Sequence, residues 1–249
     1  MEDVSSVTVN FGRPVPLFPL DKVVMMPMQV APLHLFEPRY RQMTDHALDG
    51  PGLIATAMFG APAGGATWEQ EYHGNPPIRP AVCVGRIAEH EKLPDGRYNI
   101  LLQGLCRARI LREEMPDEER MYRRAYVQPI GPLPGKPMDP TTDQPVPPDL
   151  SHFRGTLLER LEGGQLSRLT IAEALVGYAR DTDIPPEVLI DVAAFALVDD
   201  NDMRYRLLAE ADPGVRATIV NQQAAGIERM LKLADKQRPE EWPKGVSFN

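Results

Sequence analysis

The first half of the chain carries an apolar pattern with a period of two. Apolar positions alternate along residues 98–103 and again along 106–110, with Gly104 between the two runs. Such alternation predicts half-buried β-strands. Pro94-Asp95-Gly96 comes directly before them and predicts a turn, because proline presets φ and glycine tolerates a positive φ.

Shorter strands and one helix complete this half. The helix is predicted from Pro38, which suits the first helical position, to Leu48, because apolar side chains from Tyr40 to Ala47 recur at helical spacing. Strands are predicted at residues 15–20, 29–35, 53–59, 81–111 and 123–130. Six or seven short antiparallel strands with one helix predict a small closed or semi-closed barrel, which removes exposed sheet edges.

From residue 151 the apolar period changes to 3.6. Phe153, Leu157 and Leu161 form one helical stripe, which ends at Gly163-Gly164. Further helices are predicted from about residue 171, from Pro186, over Asp202–Ala209 and from Pro213. The predicted fold class is therefore α+β, an antiparallel barrel followed by an α-helical bundle.

Proline and glycine mark the boundaries between these regions. The stretch 129–148 holds eight prolines, which sustain neither a helix nor a strand ladder. Residues 60–77, rich in Gly, Pro and Ala, predict a long exposed loop. We therefore predict a β-barrel subdomain at 14–130, a Pro-rich linker at 131–148, a helical subdomain at 149–236 and a tail at 237–249.

Composition narrows the classes of partner and compartment. The net charge of −8 opposes binding to nucleic acid or to an anionic membrane, which depends on Lys and Arg. The N-terminus lacks the pattern of a signal peptide, and no apolar run approaches the ~20 residues that cross a bilayer. Cys83 and Cys106 are spaced for neither a disulfide framework nor a zinc site. A cytoplasmic protein is expected.

Catalytic chemistry is not apparent in the sequence. Residues 131–136 superficially resemble a phosphate loop, but one residue is missing between the glycines and prolines remove the N–H groups that would hold phosphate. The acidic run 199–202 lacks the glycine and distal glutamate of a calcium loop, so a solvated helix cap is predicted there. We predict no catalytic residue, no cofactor and no metal site.

Three motifs occur together, and in order they are Val15-Pro16-Leu17-Phe18-Pro19-Leu20, Pro32-Leu33-His34-Leu35-Phe36-Glu37-Pro38-Arg39-Tyr40, and Val84-Gly85-Arg86-Ile87 leading through Leu93-Pro94-Asp95-Gly96-Arg97-Tyr98 to Gln103-Gly104-Leu105-Cys106-Arg107. Together they resemble the N-terminal, substrate-recognition domain of Lon-type ATP-dependent proteases, over about residues 14–235. The resemblance implies a PUA-like pseudo-barrel followed by a helical bundle. Neither a Walker motif nor a Ser–Lys peptidase segment is found, so the resemblance implies a protein that is not an enzyme.

The function that this resemblance implies is binding of an unfolded or specific polypeptide, as an adaptor or regulator in protein quality control. The candidate residues, which serve either a partner surface or the core and the start of the helix, are Phe18, His34, Phe36, Glu37, Arg39, Tyr40 and Arg107. Gly96 and Gly104 are predicted to serve turns.

An RNA-binding module is the alternative, and an enzyme for a small ligand is a third, weaker one. A PUA-like barrel with arginines on neighbouring strands prompts the RNA alternative, although alternation predicts that only some of them share a face. We call these residues the arginine set: Arg107, Arg109, Arg112, Arg123 and Arg124.

Overall fold

The computed structural model describes residues 9–21, 23–60, 76–131 and 150–237, which fold into two compact units. The first unit contains the described residues up to 131 together with Asp200–Ala211. The second unit contains residues 150–199 and 212–237. Nearly all of the predicted linker and tail, and most of the predicted loop at 60–77, lie outside the described residues.

The first unit is built on a sheet. Its described strands are β1 (Val15–Leu20), β2 (Val30–Leu35), β3 (Leu53–Phe59), β4 (Ile78–Lys92), β5 (Tyr98–Glu114) and β6 (Arg124–Pro129). They are ordered β2-β5-β4-β3-β1-β6, and β6 also pairs with the second half of β5. This last pairing closes five strands into a barrel, while β2 lies along the first half of β5.

Helices account for most of the remaining described structure, and the α+β fold class is confirmed. The helices are α1 (Pro38–Leu48), α2 (Ser151–Glu162), α3 (Ala172–Arg180), α4 (Pro186–Leu197), α5 (Asn201–Ala209) and α6 (Pro213–Gln237), with a 3₁₀ turn at Gln165–Arg168. Within the described residues, no helix combines the length and the apolar character that crossing a membrane requires.

The barrel interior follows directly from the period of two in the sequence. Alternate residues of a strand point to one face, so every second side chain of five strands meets inside the barrel. Many of these side chains are Ala or Val, and their small volume suits a narrow interior. The buried cluster comprises Val15, Leu17, Leu53, Ala55, Ala57, Val82, Val84, Cys106, Ala108, Ala125 and Val127.

One strand pair makes the sheet mixed rather than wholly antiparallel. β1 and β3 run parallel, with Leu17 opposite Ala55, whereas the other pairings are antiparallel. Between these two strands the chain passes through β2 and α1. A connection of that length returns the chain to the end from which it started, which a hairpin turn does not do.

Glycine at position 104 is required by a close backbone approach. It lies within β5 rather than in a turn, and a Cβ there would sit 2.3 Å from the carbonyl oxygen of Met26. The Gly104 N–H donates to the Gln29 oxygen at 2.8 Å, and its own oxygen accepts from the Met28 N–H at 2.9 Å. The segment before β2 is therefore held against β5. Gly96 does lie in a turn, with φ +81°.

Helix α5 belongs to the first unit, although the sequence pattern placed it among the bundle helices. The Tyr205 hydroxyl accepts a hydrogen bond from the Ala81 N–H at 2.8 Å, and the Arg79 guanidinium lies 3.6 Å from the centre of the Tyr205 ring. Arg79 also pairs with Asp202 at 2.6 Å. Helical periodicity shows which face of a helix is apolar, but not which element covers that face.

The second unit is a helical cluster with an apolar interior. Its fully buried side chains include Leu157, Leu175, Leu189 and Ile190, which lie on α2, α3 and α4. Asp212 caps the long last helix as predicted, because its Oδ1 accepts from the Gly214 N–H at 2.7 Å.

Candidate functional site

The motif from His34 to Tyr40 forms one side of a surface groove in the first unit. The ends of β1 and β2, the start of α1 and the last residue of β3 meet there and enclose about 210 Å³. We call this site the Phe36 groove, and it is lined by Phe18, Pro19, Leu20, Asp21, His34, Leu35, Phe36, Glu37, Arg39, Tyr40 and Phe59. Six of the seven candidate residues therefore come together, and Arg107 does not.

The floor of the groove is aromatic and buried. Phe18 and Tyr40 are each only 7% exposed, and their rings meet edge to face with centroids 4.7 Å apart. Such a pair contributes about 0.5–1.5 kcal/mol beyond the burial of its area. Both side chains are thus buried at the base of the groove and pack against each other.

The rim of the groove is formed by an exposed aromatic ring. Phe36 is 59% exposed, although it sits between the buried Leu35 and the start of α1. Its ring stacks against that of His34, with centroids 6.3 Å apart and planes 27° apart. Phe36 therefore presents an apolar surface to solvent and does not belong to the core.

A short hydrogen-bond chain fixes His34 beside this ring. The Nδ1 of His34 lies 2.7 Å from Oδ1 of Asn99, and its Nε2 lies 3.2 Å from a guanidinium nitrogen of Arg97. The amide nitrogen of Asn99 donates to Glu91 at 2.9 Å. Arg97 is held by Asp95, whose carboxylate accepts from its Nε at 2.6 Å. The orientation of the rim thus depends on the β4–β5 turn.

Two charged residues stand at the mouth of the groove, at the start of α1. The carboxylate of Glu37 accepts hydrogen bonds from Arg39, whose Nε and Nη2 lie at 2.9 and 2.7 Å. The Arg39 guanidinium also lies 4.7 Å from the centre of the Tyr40 ring. This pairing keeps both charges next to the groove without burying either of them.

Together, these features describe a small groove with an apolar floor, an exposed aromatic ring and a few fixed polar groups. An exposed aromatic side chain beside an apolar floor, with a few fixed polar groups, is the arrangement that binds apolar side chains of a partner. The groove is smaller than the roughly 300–1,000 Å³ of small-molecule sites. Among the described residues, no group of three or more His, Cys, Asp or Glu side chains is placed to hold a metal ion.

Arg107, the remaining candidate residue, lies away from the groove and is 6% exposed. Its side chain points out of the barrel, opposite to the inward Cys106 and Ala108, but α5 covers it. Its Nε donates to the carbonyl oxygen of Leu207 at 3.3 Å. Arg107 therefore helps to hold α5 on the barrel and is not available to a partner.

Three of the other four members of the arginine set pair with neighbouring carboxylates, and the fourth, Arg109, is exposed. Arg123 is buried and lies 3.3 Å from Glu113. Arg124 and Arg112 both reach the carboxylate of Glu114, at 2.7 and 3.5 Å. In the described part of the chain these arginines do not form a continuous basic stripe, so their arrangement does not favour RNA binding.

Two other features of the sequence have structural explanations. Cys83 and Cys106 are buried thiols, and burial raises the pKa of Cys106 to about 11, which opposes formation of the reactive thiolate. In the acidic run, Asp200 caps α5 by accepting from the Met203 N–H at 2.7 Å. That cap is what the sequence predicts for this run.

Sequence reasoning missed three residues that shape the groove. Phe59 lines it from the end of β3, and Arg97 and Asn99 hold His34. Only the strand register could have identified Asn99, because it lies directly opposite His34 in the β2–β5 pair. Register between residues 65 positions apart in sequence is not encoded in a local pattern.

The sequence matches a family described as the ATP-dependent protease La (LON) substrate-binding domain, over residues 14–223. That range covers most of both units. A comparison with curated protein sequences finds no match.

Solved structures show the same fold. The N-terminal domain of the Mycobacterium avium complex Lon protease matches with a TM-score of 0.59 at 15% identity, covering 86% of this chain and 98% of that one. A Lon N-terminal domain protein from Xanthomonas campestris matches with a TM-score of 0.51 at 19% identity, covering 82% of this chain and 94% of that one. At such identities the likeness concerns the fold alone.

Proposed function

The chain belongs to the family of LON substrate-binding domains, and from that premise we propose that it is a non-catalytic module that binds polypeptides. The proposed role is substrate recognition, as an adaptor or regulator in protein quality control in the cytoplasm. The family match includes no ATPase or peptidase domain, which supports a role in binding rather than in cleavage.

The exposed ring of Phe36 is the observation that carries this proposal. Aromatic side chains that are exposed beside a partly enclosed apolar groove are typical anchors of protein interfaces. Here the ring is held by His34, and the floor beneath it is already packed by Phe18 and Tyr40. A preorganised site loses less entropy when a flexible chain binds to it. An unfolded polypeptide, which exposes its apolar side chains, is therefore the partner that fits.

Substitution of Phe36 tests the proposal. We expect Phe36→Ala to weaken binding of a permanently unfolded, carboxymethylated protein by about tenfold, or about 1.4 kcal/mol, because the main apolar contact is lost. Fluorescence anisotropy of the labelled unfolded protein measures this change. The free energy of unfolding should stay within about 0.5 kcal/mol of the wild-type value, since Phe36 is exposed.

The matched control is Leu111→Ala. Leu111 is also apolar and 63% exposed in the same unit, but it lies on β5 and does not line the groove. It should bind the unfolded protein as the wild type does. Equal losses in the two variants would mean that any exposed apolar side chain contributes, and the Phe36 groove would then not be the site.

A further inference from the structure

A second pocket in the first unit combines an apolar floor with positive charge. It encloses about 430 Å³ between the segment before β1, the end of α1 and the start of β6. Val15, Ala47 and Leu53 are its buried apolar residues. Two arginines, Arg13 and Arg124, line it on the polar side. This volume falls within the roughly 300–1,000 Å³ that hold small ligands or side chains.

The positive charge of this pocket is only partly neutralised. The nearby carboxylate of Glu114 contacts Arg124 at 2.7 Å and also reaches Arg112 and Arg120, each at 3.5 Å. One negative charge is therefore shared among three guanidinium groups, of which Arg120 has a second partner, Asp117. The pocket retains an attraction for an anion.

Arg13 adds a charge that Glu114 does not reach. It is exposed, and no ion pair of its side chain occurs within the described part of the chain. The remaining polar wall is a hydrogen-bonded pair, in which Nδ1 of His46 lies 3.0 Å from the Tyr122 hydroxyl. No carboxylate lines the pocket itself, and the negative charge next to it is that of Glu114, which Arg124 contacts.

The pocket and the Phe36 groove lie at the two ends of α1. A narrow cleft shares Pro19, Arg39, Tyr40 and Phe59 with the groove and shares Tyr122 with the pocket. Because α1 has 11 residues and is about 16 Å long, an extended chain of about five residues spans the distance from the groove to the pocket.

We infer that this pocket binds the C-terminal residue of the polypeptide that occupies the Phe36 groove. The terminal carboxylate lies against Arg13 and Arg124, and the last side chain packs on Val15, Ala47 and Leu53. A C-terminal residue carries a carboxylate and an apolar side chain on the same carbon, whereas an Asp or Glu side chain carries the charge alone. The inference rests on the proposed function, because the groove supplies the rest of the binding surface.

A pair of peptides tests this inference on the full chain. A labelled, unstructured peptide ending in leucine is prepared as the free acid and as the C-terminal amide, and its affinity is measured by anisotropy. We expect the free acid to bind about tenfold more tightly, because only it carries the charge that the arginines attract. Arg13→Gln should remove most of this difference. The control variant Arg109→Gln, at an exposed arginine outside the pocket, should preserve it.

The outcomes separate this inference from the proposed function. Equal affinity for acid and amide, with Phe36→Ala still weakening both, would overturn the C-terminal pocket and leave the groove in place. Binding of neither peptide would overturn both. N-acetylleucine, which carries the terminal carboxylate and side chain alone, should compete only weakly. Competition as strong as that of the whole peptide would identify a small carboxylate, rather than a polypeptide, as the ligand.

Discussion

The Phe36 groove and the arginine set are two regions of the first unit that the sequence indicates as candidate partner surfaces. They differ in how much of the predicted binding surface the fold leaves exposed. In the groove, the polar residues pair with one another and leave an aromatic ring exposed. In the arginine set, Arg107 and Arg123 are buried, and Arg112 and Arg124 share one carboxylate. Most of the positive charge in this set is thus buried or paired with carboxylates.

The difference teaches how to weigh two kinds of sequence signal. A cluster of arginines indicates a nucleic-acid surface only when the charges remain exposed and unpaired. Here Glu113 and Glu114, at the end of β5, pair with Arg123, just before β6, and with Arg124, the first residue of β6. A single aromatic residue at the start of a helix is a weaker sequence signal of a binding surface than a cluster of arginines. Phe36 is nevertheless the side chain that the fold leaves accessible.

The largest expected effect is a loss of stability, and it should distinguish the buried floor of the groove from its exposed rim. Phe18→Ala should lower the free energy of unfolding by about 3 kcal/mol, because it removes a buried aromatic side chain and leaves a cavity beneath Tyr40. Urea denaturation followed by circular dichroism measures the loss. Binding of the unfolded protein should fall as well, since the floor supports the site.

Phe36→Ala is the matched control, because it makes the same chemical change at an exposed position. It should affect binding and leave stability almost unchanged. If both substitutions destabilised the protein to the same degree, Phe36 would be a packing residue and the contrast between floor and rim would disappear.

A smaller effect is expected within the arginine set. Arg107→Ala should lower the free energy of unfolding by about 2 kcal/mol, because the Leu207 carbonyl loses a charged hydrogen-bond donor and α5 loses packing on the barrel. Arg109→Ala, two residues along the same strand and exposed, should change it by less than about 0.5 kcal/mol. Urea denaturation of both variants tests this. If both substitutions changed the free energy of unfolding by equal, small amounts, Arg107 would again be a candidate for contact with a partner.

Local patterns predicted most of the fold, because strands and helices each space their apolar residues with a characteristic period. The alternation of Cys106 and Ala108 with Arg107 predicts the inward and outward faces of β5, and Pro38 predicts the start of α1. The parallel pairing of β1 with β3 was not predictable in the same way, because it depends on how the intervening chain returns.

The site was predicted as a set of residues but not as a surface. The motif names His34, Phe36 and Tyr40 together, and all three line the groove. Their exposure could not be predicted, because it depends on which elements cover them. Arg107 shows the same dependence in reverse, since the helix that buries it lies 100 residues further along the chain.

The smallest expected effect concerns Glu114, the carboxylate that neutralises part of the arginine set. Hydrogen bonding from Arg124, and the charges of Arg124, Arg112 and Arg120, hold the pKa of Glu114 below its usual value, although partial desolvation acts in the opposite direction. The folded state therefore favours the charged carboxylate. Its stabilising contribution is present above the ordinary pKa of about 4.3 and is lost as the pH falls below that value.

Glu114→Gln should consequently lower the melting temperature slightly at pH 7. The difference from the wild type should shrink as the pH falls below about 4 and the wild-type carboxylate becomes protonated. Thermal denaturation across this pH range measures the change. The same variant frees Arg112 and Arg124, so it should bind single-stranded RNA more tightly than the wild type, and less so as salt is added. If the wild type and the variant bound RNA with equal affinity, Glu114 would not be the group that prevents the arginine set from binding RNA. The contrast between the arginine set and the Phe36 groove would then not hold.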